Sequence, residues 1–340
     1  MTADLVQITR GDIVESVHRG VVVVADVAGA TVAAAGDPAT PSYFRSSAKP
    51  FQAVPLVESG AAERFGFTDE ELAIACSSHD AKPWQQAIVA GMLAKIGLGE
   101  NALRCGFAPP YDEKEAARVT LDLVPPSALQ CDCSGKHTGM LATCLHLGYP
   151  IETYLEADHP LQRDILRVVA ACLRVDEADI WLAPDGCSVP TFGAPLRAFA
   201  VAYATLAAPE QAAPDGGRRH SDALNRLRAV MAAHPHHIAG EGELDTDIIE
   251  VTRGRIVAKL GAEGLLCMAV AERGLGIAIR VMDGSERARG PIALHALDQL
   301  DLLTDAERDE LTRRQHPPVT NFNGWTVGEM RPVFELQSRT

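Results

Sequence analysis

Short apolar runs at both ends of the chain predict strands. Near the N-terminus, Val21 to Val24 and Thr31 to Ala35 carry β-branched or small apolar residues, and Ala28-Gly29-Ala30 between them suits a tight turn. Near the C-terminus, three further runs separated by glycines are typical of a meander of antiparallel strands. These runs are Arg255 to Leu260, Leu265 to Ala271 and Gly276 to Met282. We expect both ends of the chain to contribute to one sheet.

The middle of the chain has a helical pattern. Thr68-Asp69-Glu70-Glu71 is a capping box that opens a helix over Leu72 to Cys76, and a second helix over Trp84 to Ile96 stops at Gly97. Further helices are predicted over Asp158 to Leu173, Ala194 to Leu206 and Ser221 to Ala233, with a surface loop over Ala207 to Arg219. The expected fold class is therefore α/β, with a mainly antiparallel sheet built from both chain ends, flanking helices and a helical middle.

This order predicts one two-lobed unit over residues 1–340. The sheet lobe would take residues 1–45 plus 250–340, and the helical lobe residues 46–249, so that the lobes are discontinuous in sequence. A site for chemistry would lie in the cleft between sheet and helices.

Composition and charge narrow the classes of function. The 340 residues are 47% hydrophobic and 22% charged, which is ordinary for a globular chain, and the net charge is −14. Since no block of basic residues interrupts this acidity, we expect no affinity for nucleic acid or for anionic membrane surfaces. Residues 1–10 lack the pattern of a signal peptide and no segment has the length of a membrane span. We expect a cytoplasmic protein whose eight cysteines stay thiols or metal ligands.

The first candidate for chemistry is a Ser-x-x-Lys motif, Ser46-Ser47-Ala48-Lys49. On a helical turn, residues three apart share a face, so the Lys49 amine could reach the Ser46 hydroxyl. A lysine acts as a base when burial or a nearby positive charge lowers its pKa. Because Pro50 disfavours helical geometry at Lys49, the motif is expected on a tight turn just before a helix that has Pro50 at its first position.

Two later segments add to this motif. Ser78 follows a predicted helix, and Lys259-Leu260-Gly261 lies on a late strand, an order that partly parallels serine β-lactamases and penicillin-binding proteins. The match is partial, because Ser78 is followed by His79 and Asp80 and Leu260 stands where the third element has threonine. The string Ser78-His79-Asp80 is not a catalytic triad, since adjacent residues do not face one another in regular structure.

A third group of residues could hold a metal. Cys133 and Cys187, with Cys131, Lys136 or His137, could supply three or four ligands to zinc. The alternative is a set of thiols buried beside a helix start. Gly135-Lys136-His137-Thr138 resembles the end of a phosphate-binding loop, but Gln130 stands where the first glycine is needed, which excludes a nucleotide site of that kind.

An acidic stretch and a histidine cluster are expected to be structural and not functional. The acidic stretch from Glu241 to Asp247 lacks the order of a calcium loop and is expected to be a solvated loop. The neighbouring histidines at 234, 236 and 237 are expected at the end of a surface helix.

Four strings, taken in order, resemble the asparaginase II family of rhizobial-type L-asparaginases. They are Ser46-Ser-Ala-Lys49-Pro50-Phe-Gln, Cys76-Ser-Ser78-His-Asp, Cys131-Asp-Cys133-Ser-Gly-Lys136-His137-Thr-Gly-Met and Pro184-Asp185-Gly-Cys187-Ser-Val-Pro-Thr. The resemblance runs from the first strands to about Arg280. It implies a serine β-lactamase-like and glutaminase-like fold, a homodimer, and hydrolysis of the side-chain amide of L-asparagine to L-aspartate and ammonia.

The resemblance also implies which residues form the site. Two serine-lysine pairs fall on Ser46 with Lys49 and on Ser78 with Lys259, while Asp185 and His137 are expected near the substrate. The family's zinc is held by two cysteines and a lysine, and these match Cys133, Cys187 and Lys136. On this basis the metal is expected close to the substrate, where it orients the substrate and does not itself activate the nucleophile.

The two serine-lysine pairs can supply the groups that amide hydrolysis requires. An amide carbonyl needs a hydroxyl made nucleophilic by a base, and the departing ammonia needs a proton. Our hypothesis is that Ser46 attacks and forms an acyl-enzyme, that Lys49 takes its proton, and that Ser78 with Lys259 relays a proton to the leaving group. The reverse assignment, with Ser78 as nucleophile, stays open at this point. So do two other classes: another acyl-serine hydrolase of glutaminase or penicillin-interacting type, and a non-catalytic module that binds zinc or an amino acid.

Overall fold

Strands from both ends of the chain form the main sheet. The structure, a computed structural model, describes residues 1–110, 112–214 and 216–339, without the side chain of Glu113. The strands are β1 (Ala3–Arg10), β2 (Ile13–Asp26), β3 (Thr31–Ala35), β4 (Pro41–Tyr43), β5 (Trp181–Pro184), β6 (Pro190–Pro195), β7 (Ile256–Gly261), β8 (Leu265–Val270), β9 (Leu275–Val281), β10 (Pro318–Thr320), β11 (Thr326–Pro332) and β12 (Gln337–Ser338).

The order of strands in the main sheet is β10-β11-β1-β2-β9-β8-β7, with β3 paired to both β2 and β12. All of these pairs are antiparallel. The long strand β2 lies at the centre, where Gly20 to Asp26 pair with β9. The predicted antiparallel sheet built from both chain ends is therefore confirmed. A second sheet, β4-β6-β5, lies outside it and was not predicted.

Helices occupy most of the chain between the two sets of strands. They are α1 (Lys49–Gln52), α2 (Val54–Glu58), α3 (Ala61–Arg64), α4 (Asp69–Ala75), α5 (Pro83–Lys95), α6 (Glu113–Leu121), α7 (Ser134–Leu147), α8 (Pro160–Leu173), α9 (Leu196–Ala207), α10 (Ser221–Ala233), α11 (Pro235–Ile238), α12 (Leu244–Val251), α13 (Arg289–Gln299) and α14 (Asp305–Gln315). The proposed lobe boundaries stay a prediction.

Local signals placed several helices correctly. The capping box at α4 is present: Glu71 N–H donates to Thr68 Oγ1 at 3.3 Å, and Thr68 N–H donates to Glu71 Oε2 at 2.7 Å. These two bonds satisfy backbone donors that the first turn of a helix leaves without partners. The helices α5, α8, α9 and α10 each lie within two residues of the predicted bounds.

Helix α9 packs directly on the main sheet. Its closest approach is at Gly276 in β9, where a Cβ atom would collide with backbone atoms of Ala200 and Ala204. Glycine at this position therefore allows the backbone of the helix to reach the strand. Because every residue of α9 except Arg197 is buried, this helix forms the centre of the core between the sheet and the other helices.

One predicted loop is wrong, and a second is irregular as predicted but only partly exposed. The acidic stretch was expected to be solvated, but Leu244 to Val251 form α12, and Asp245 and Thr246 are buried. In the stretch 207–219, the described residues include the 3₁₀ turns Pro209–Gln211 and Gly217–His220, several of them buried; Asp215 lies outside the described residues. In both cases packing against neighbouring elements gives polar or turn-forming residues a buried position.

The eight cysteines are buried free thiols. The histidines at 234, 236 and 237 are half-buried where α10 ends, as expected. Among the helices of the described residues, none is long and apolar enough to cross a membrane.

Candidate active site

The Ser-x-x-Lys motif lies on a tight turn, as its sequence predicts. Residues Arg45 to Ala48 form a 3₁₀ turn, and α1 begins at Lys49 with Pro50 in its first turn. Ser46 is half-buried and lines a cavity, whereas Lys49 is completely buried. The turn therefore presents the hydroxyl of Ser46 to the cavity and sends the lysine into the interior.

Two lysines converge on the hydroxyl of Ser78. Lys49 Nζ donates to Ser78 Oγ at 2.9 Å, and Lys259 Nζ donates to the same oxygen at 2.9 Å. Ser78 follows α4 and is held by its own N–H, which donates to Ile238 O at 2.8 Å. Lys49 makes no hydrogen bond to Ser46 in the described part of the chain, so the two lysines meet at the second serine.

Lys49 is surrounded by acceptors. Besides Ser78 it donates to Ser77 O at 2.6 Å and lies 3.1 Å from Asp132 Oδ2. Burial lowers the pKa of Lys49, but the Asp132 carboxylate and the Cys133 sulfur outweigh that effect, and the net pKa lies above the ordinary value. Lys49 is thus held as an ammonium group in the arrangement seen.

Lys259 lies on β7, where it is equally buried but less well paired. Its Nζ lies 3.7 Å from Asp245 Oδ2, a separation too long for a strong hydrogen bond. Burial and the charge of Lys49 lower the pKa of Lys259 to about 8, against the opposing effect of Asp245. This lysine is the one that can give up its proton near neutral pH.

Asp245 was missed by sequence reasoning. It is fully buried at the start of α12, where its Oδ2 accepts the Leu260 N–H at 3.0 Å and its Oδ1 has no partner among the described residues. Within the sequence it looks like one of several solvated acids. Its helical spacing from the apolar residues Ile248 and Ile249 is the signal that could have placed it on a buried face.

His79 has a structural position behind Ser78. The Ala81 N–H donates to Nδ1 at 3.1 Å, so the ring proton resides on Nε2 and is donated to Ser134 Oγ at 2.8 Å. Burial lowers the pKa of His79 to about 4, which keeps the ring neutral. The imidazole therefore ties the segment after α4 to the start of α7.

The residues proposed for a metal lie together near the start of α7. Lys136 Nζ lies 3.0 Å from Cys187 Sγ. Interaction with Cys133 and the charge of Lys136 lower the pKa of Cys187 to about 6 despite burial, and the pKa of Cys133 is lowered as well, first by its contact with Cys131. Burial lowers the pKa of Lys136, but the two sulfurs outweigh it and the net pKa is raised.

A second possible set of donors overlaps with the first. Donor atoms of Cys131, Asp132 and Cys133 all lie within 4.8 Å of one another. Thiolate, amine and carboxylate groups are donors that zinc accepts in proteins. The side chains at this position therefore fit a zinc ion.

Asp185 and His137 lie beside this group of donors. Asp185 accepts from Arg45 Nε at 2.7 Å, which connects the β5–β6 turn to the turn that carries Ser46. His137 is fully buried, with Nδ1 2.7 Å from the hydroxyl of Tyr154 and with Nε2 unpartnered in the described structure. Burial and the charge of Lys136 lower the pKa of His137 to about 3. Neither side chain lines the cavity that contains Ser46 and Ser78.

A cavity of about 310 Å³ is lined by Ser46 and Ser78. Such a volume suits a small ligand. Its polar lining consists of Ser46, Ser78, Asp80, Asp132, Glu243, Glu263, Glu286 and Arg289. Larger cavities of about 520, 440 and 360 Å³ lie elsewhere and are lined by none of the four serines and lysines of the two predicted pairs. The 310 Å³ cavity is lined by both Ser46 and Ser78, which makes it the candidate site.

The family model of L-asparaginase II matches residues 6–332, nearly the whole chain. The protein belongs to the L-asparaginase II family. No curated protein sequence matches the chain.

Solved structures show only distant similarity to this family member. The protein Mglu, in its native form in 4.3 M NaCl, is 16% identical with a TM-score of 0.40, over 84% of this chain and 61% of that chain. Mglu in its tris and glutamate form is 16% identical with a TM-score of 0.39, over 83% and 59%. A β-lactamase from Mycobacterium bovis is 12% identical with a TM-score of 0.37, over 87% and 95%. The chain spans about three fifths of the Mglu chains.

Proposed function

We propose that this protein is an amidohydrolase, specifically an L-asparaginase, which hydrolyses the side-chain amide of L-asparagine to L-aspartate and ammonia. The observation that carries the proposal is the convergence of two buried lysines on Ser78 Oγ, at the wall of a cavity that also presents Ser46. Such an arrangement can move a proton to and from a serine that attacks a carbonyl carbon.

Ser46 is the better nucleophile of the two serines. Its side chain is half-buried, lines the cavity and makes no hydrogen bond among the described residues, so a substrate carbonyl can approach it. Ser78 is nearly buried, and both lysines already donate to its oxygen. Ser78 therefore suits the transfer of protons between Ser46 and the lysines.

The base is assigned to Lys259 acting through Ser78. The hypothesis drawn from sequence gave this role to Lys49, which instead donates to Ser78 and pairs with Asp132. In the proposed reaction, Ser46 Oγ bonds to the amide carbon and its proton passes by way of Ser78 to Lys259. The carbon–nitrogen bond then breaks, the same proton leaves with ammonia, and water hydrolyses the acyl-enzyme to release L-aspartate. Lys49 holds Ser78 in place, and its charge keeps the pKa of Lys259 low.

We further propose that Cys133, Lys136 and Cys187 hold a zinc ion. The ion would supply a fixed positive charge that helps to orient the substrate, since Asp132, the neighbour of Cys133, lines the cavity. Ligation by Lys136 requires its neutral amine, so binding must release a proton. The homodimer and the cytoplasmic location implied at the sequence level stay predictions.

The decisive experiment measures ammonia release from L-asparagine and L-glutamine by the wild type, Ser46→Ala and Ser78→Ala. Ser46→Ala should lose at least about 10³-fold in kcat, whereas Ser338→Ala, on the exposed strand β12, should match the wild type. Mass spectrometry of the acid-quenched enzyme should find the acyl group on the peptide with Ser46. Acylation of Ser78 would reverse the assignment, and no turnover of either amide by folded, metal-loaded protein would contradict the proposed function.

The zinc site has a test that does not depend on activity. Bound zinc per chain, measured by elemental analysis, should be lost in Cys187→Ser and retained in Cys172→Ala, which changes a buried cysteine on α8 outside the group. Zinc retained in Cys187→Ser would place the metal elsewhere.

A further inference from the structure

The cavity contains charges that the proposed chemistry does not use. Away from the serines and lysines, its lining carries five carboxylates and one arginine. The attack of a serine on an amide carbon requires no positive or negative charge elsewhere on the substrate. The arginine and the carboxylates therefore raise the question of which part of a substrate they would meet, an inference that rests on the proposed function.

Arg289 is a buried cation at the wall of the cavity. Its side chain is only 8% exposed, although it begins α13. Nη1 donates to Gly261 O at a long 3.4 Å, and Nη2 lies 3.0 Å from Glu286 Oε1. Since a guanidinium has five N–H donors, these two contacts leave donors free to bind a carboxylate.

The partner of Arg289 is easily replaced. The Glu286 side chain is 67% exposed, so water can hydrate this carboxylate once its ion pair with Arg289 is broken. A substrate carboxylate that enters the cavity can take the place of Glu286 at small cost.

Glu243 is the half-buried carboxylate of the lining that is free to bind a cation; Glu263 also has no ion-pair partner among the described residues, but it is exposed. Asp80 is paired with Lys82 at 3.2 Å, Asp132 with Lys49 and Glu286 with Arg289. For Glu243, at the start of α12, the described residues supply no hydrogen-bond or ion-pair partner to the side chain. Burial and the nearby charges of Asp245 and Asp80 raise the pKa of Glu243, so a cation that binds there relieves an unfavourable environment.

We propose that Arg289 binds the α-carboxylate of the substrate and Glu243 its α-ammonium group. The two residues would then select free α-amino acids that carry a side-chain amide, and would reject amides in peptides or amides that lack one of the two charges. Both contacts would anchor the backbone end of L-asparagine and leave its amide for Ser46.

The test compares three amides in steady-state kinetics. L-asparagine carries both charges, succinamic acid lacks the α-ammonium group, and β-alaninamide lacks the α-carboxylate. For Arg289→Gln we expect kcat/KM to fall roughly 10- to 100-fold with L-asparagine and succinamic acid, but not with β-alaninamide. For Glu243→Gln the loss should appear with L-asparagine and β-alaninamide, but not with succinamic acid. The controls Arg287→Gln and Glu241→Gln should match the wild type.

Other outcomes overturn the inference. Equal losses with all three amides would make Arg289 a structural residue, and unchanged kinetics would place the two α-groups elsewhere, for example at the proposed metal. If Arg289→Gln does not fold, Arg289→Lys and Glu243→Gln supply the same comparison. Calorimetry of the three amides with Ser46→Ala, alone and combined with Arg289→Gln or Glu243→Gln, measures binding without catalysis. If each combined variant loses affinity only for the amides expected above, the inference is supported. If the wild type then turns over none of these amides, the proposed function is contradicted while the inference stands.

Discussion

Lys49 and Lys259 donate to one hydroxyl from two different environments. Lys49 has a carboxylate at 3.1 Å, whereas the nearest carboxylate to Lys259 is at 3.7 Å and is itself bound to a backbone N–H. Two buried ammonium groups so close together repel each other, and the less well paired one loses its proton first. The proposed division of roles between the lysines therefore depends on the position of two aspartates.

This division predicts the pH dependence of activity. A base must be deprotonated to act, so kcat/KM should rise with pH through the pKa of Lys259, about 8. Since Asp245 stabilises the ammonium form, Asp245→Asn should lower that pKa and move the rising limb about 1–3 pH units toward acid. The amide oxygen can still accept the Leu260 N–H.

The control for this shift is Asp247→Asn. Asp247 lies on the same helix but pairs with Arg314, away from the lysines. Its pH profile should coincide with that of the wild type. A profile of Asp245→Asn that also coincides would show that Lys259 is not the titrating base.

At the scale of elements, the start of α7 carries Cys133 and Lys136, two of the proposed metal ligands, and it packs against α4. The contact is at Gly135, where a Cβ atom would collide with the backbone and side chain of Ile74. Ile74 lies on the helix that leads to Ser78. Glycine at 135 therefore allows the two helices to approach, and this approach brings Ser78 and Cys133 to the same side of the molecule.

Gly135→Ala should destabilise the protein by about 1–3 kcal/mol, because the added methyl group has no space without displacement of α4. Bound zinc should fall with it. The matched control is Gly91→Ala, which also lies within a helix but has open space around the added Cβ. That variant should be more stable by roughly 0.5–1 kcal/mol. Chemical denaturation measures both, and equal stabilities of the two variants would contradict this account of the contact.

At the scale of the whole molecule, the C-terminal segment adds strands to the main sheet beside the N-terminal strands. Strand β11 pairs with β1, and β12 pairs with β3. Between them, Phe334 is buried, with its ring 5.0 Å from that of His295 on α13 and its carbonyl oxygen accepting from His295 and Gln299. The C-terminal segment thus packs against α13, the helix that carries Arg289.

Phe334→Ala should lower the free energy of unfolding by about 3–5 kcal/mol, as for other large buried aromatic residues. Phe322→Ala, in the turn between β10 and β11, should change it by less than about 0.5 kcal/mol because that ring is fully exposed. Thermal or chemical unfolding of the two variants provides the measurement. A small effect of Phe334→Ala would mean that the C-terminal segment is dispensable for the sheet.

Elements and motifs with local causes were predicted from sequence. The capping box at Thr68, the glycine-separated strands β7 to β9 and the turn at Ser46 each depend on residues a few positions apart. The position of Ser46 on a turn followed by Pro50 needed only the restriction that proline places on its own backbone and on the residue before it. In the small sheet, β4 was missed because it pairs with β6, a segment distant in sequence. The hairpin of β5 and β6 is local, and sequence analysis overlooked it.

Contacts between distant residues were decided by the tertiary structure. The sequence by itself determined that both chain ends form one sheet, that helices fill the middle and that a Ser-x-x-Lys motif lies on a turn before a helix. It did not determine that Lys49 binds Ser78, 29 residues away, or that Ser78 also meets Lys259, 181 residues away. Nor did it show that Asp245 is buried beside Lys259. Burial and pairing set the pKa of a lysine, and both arise only when segments distant in sequence pack against one another.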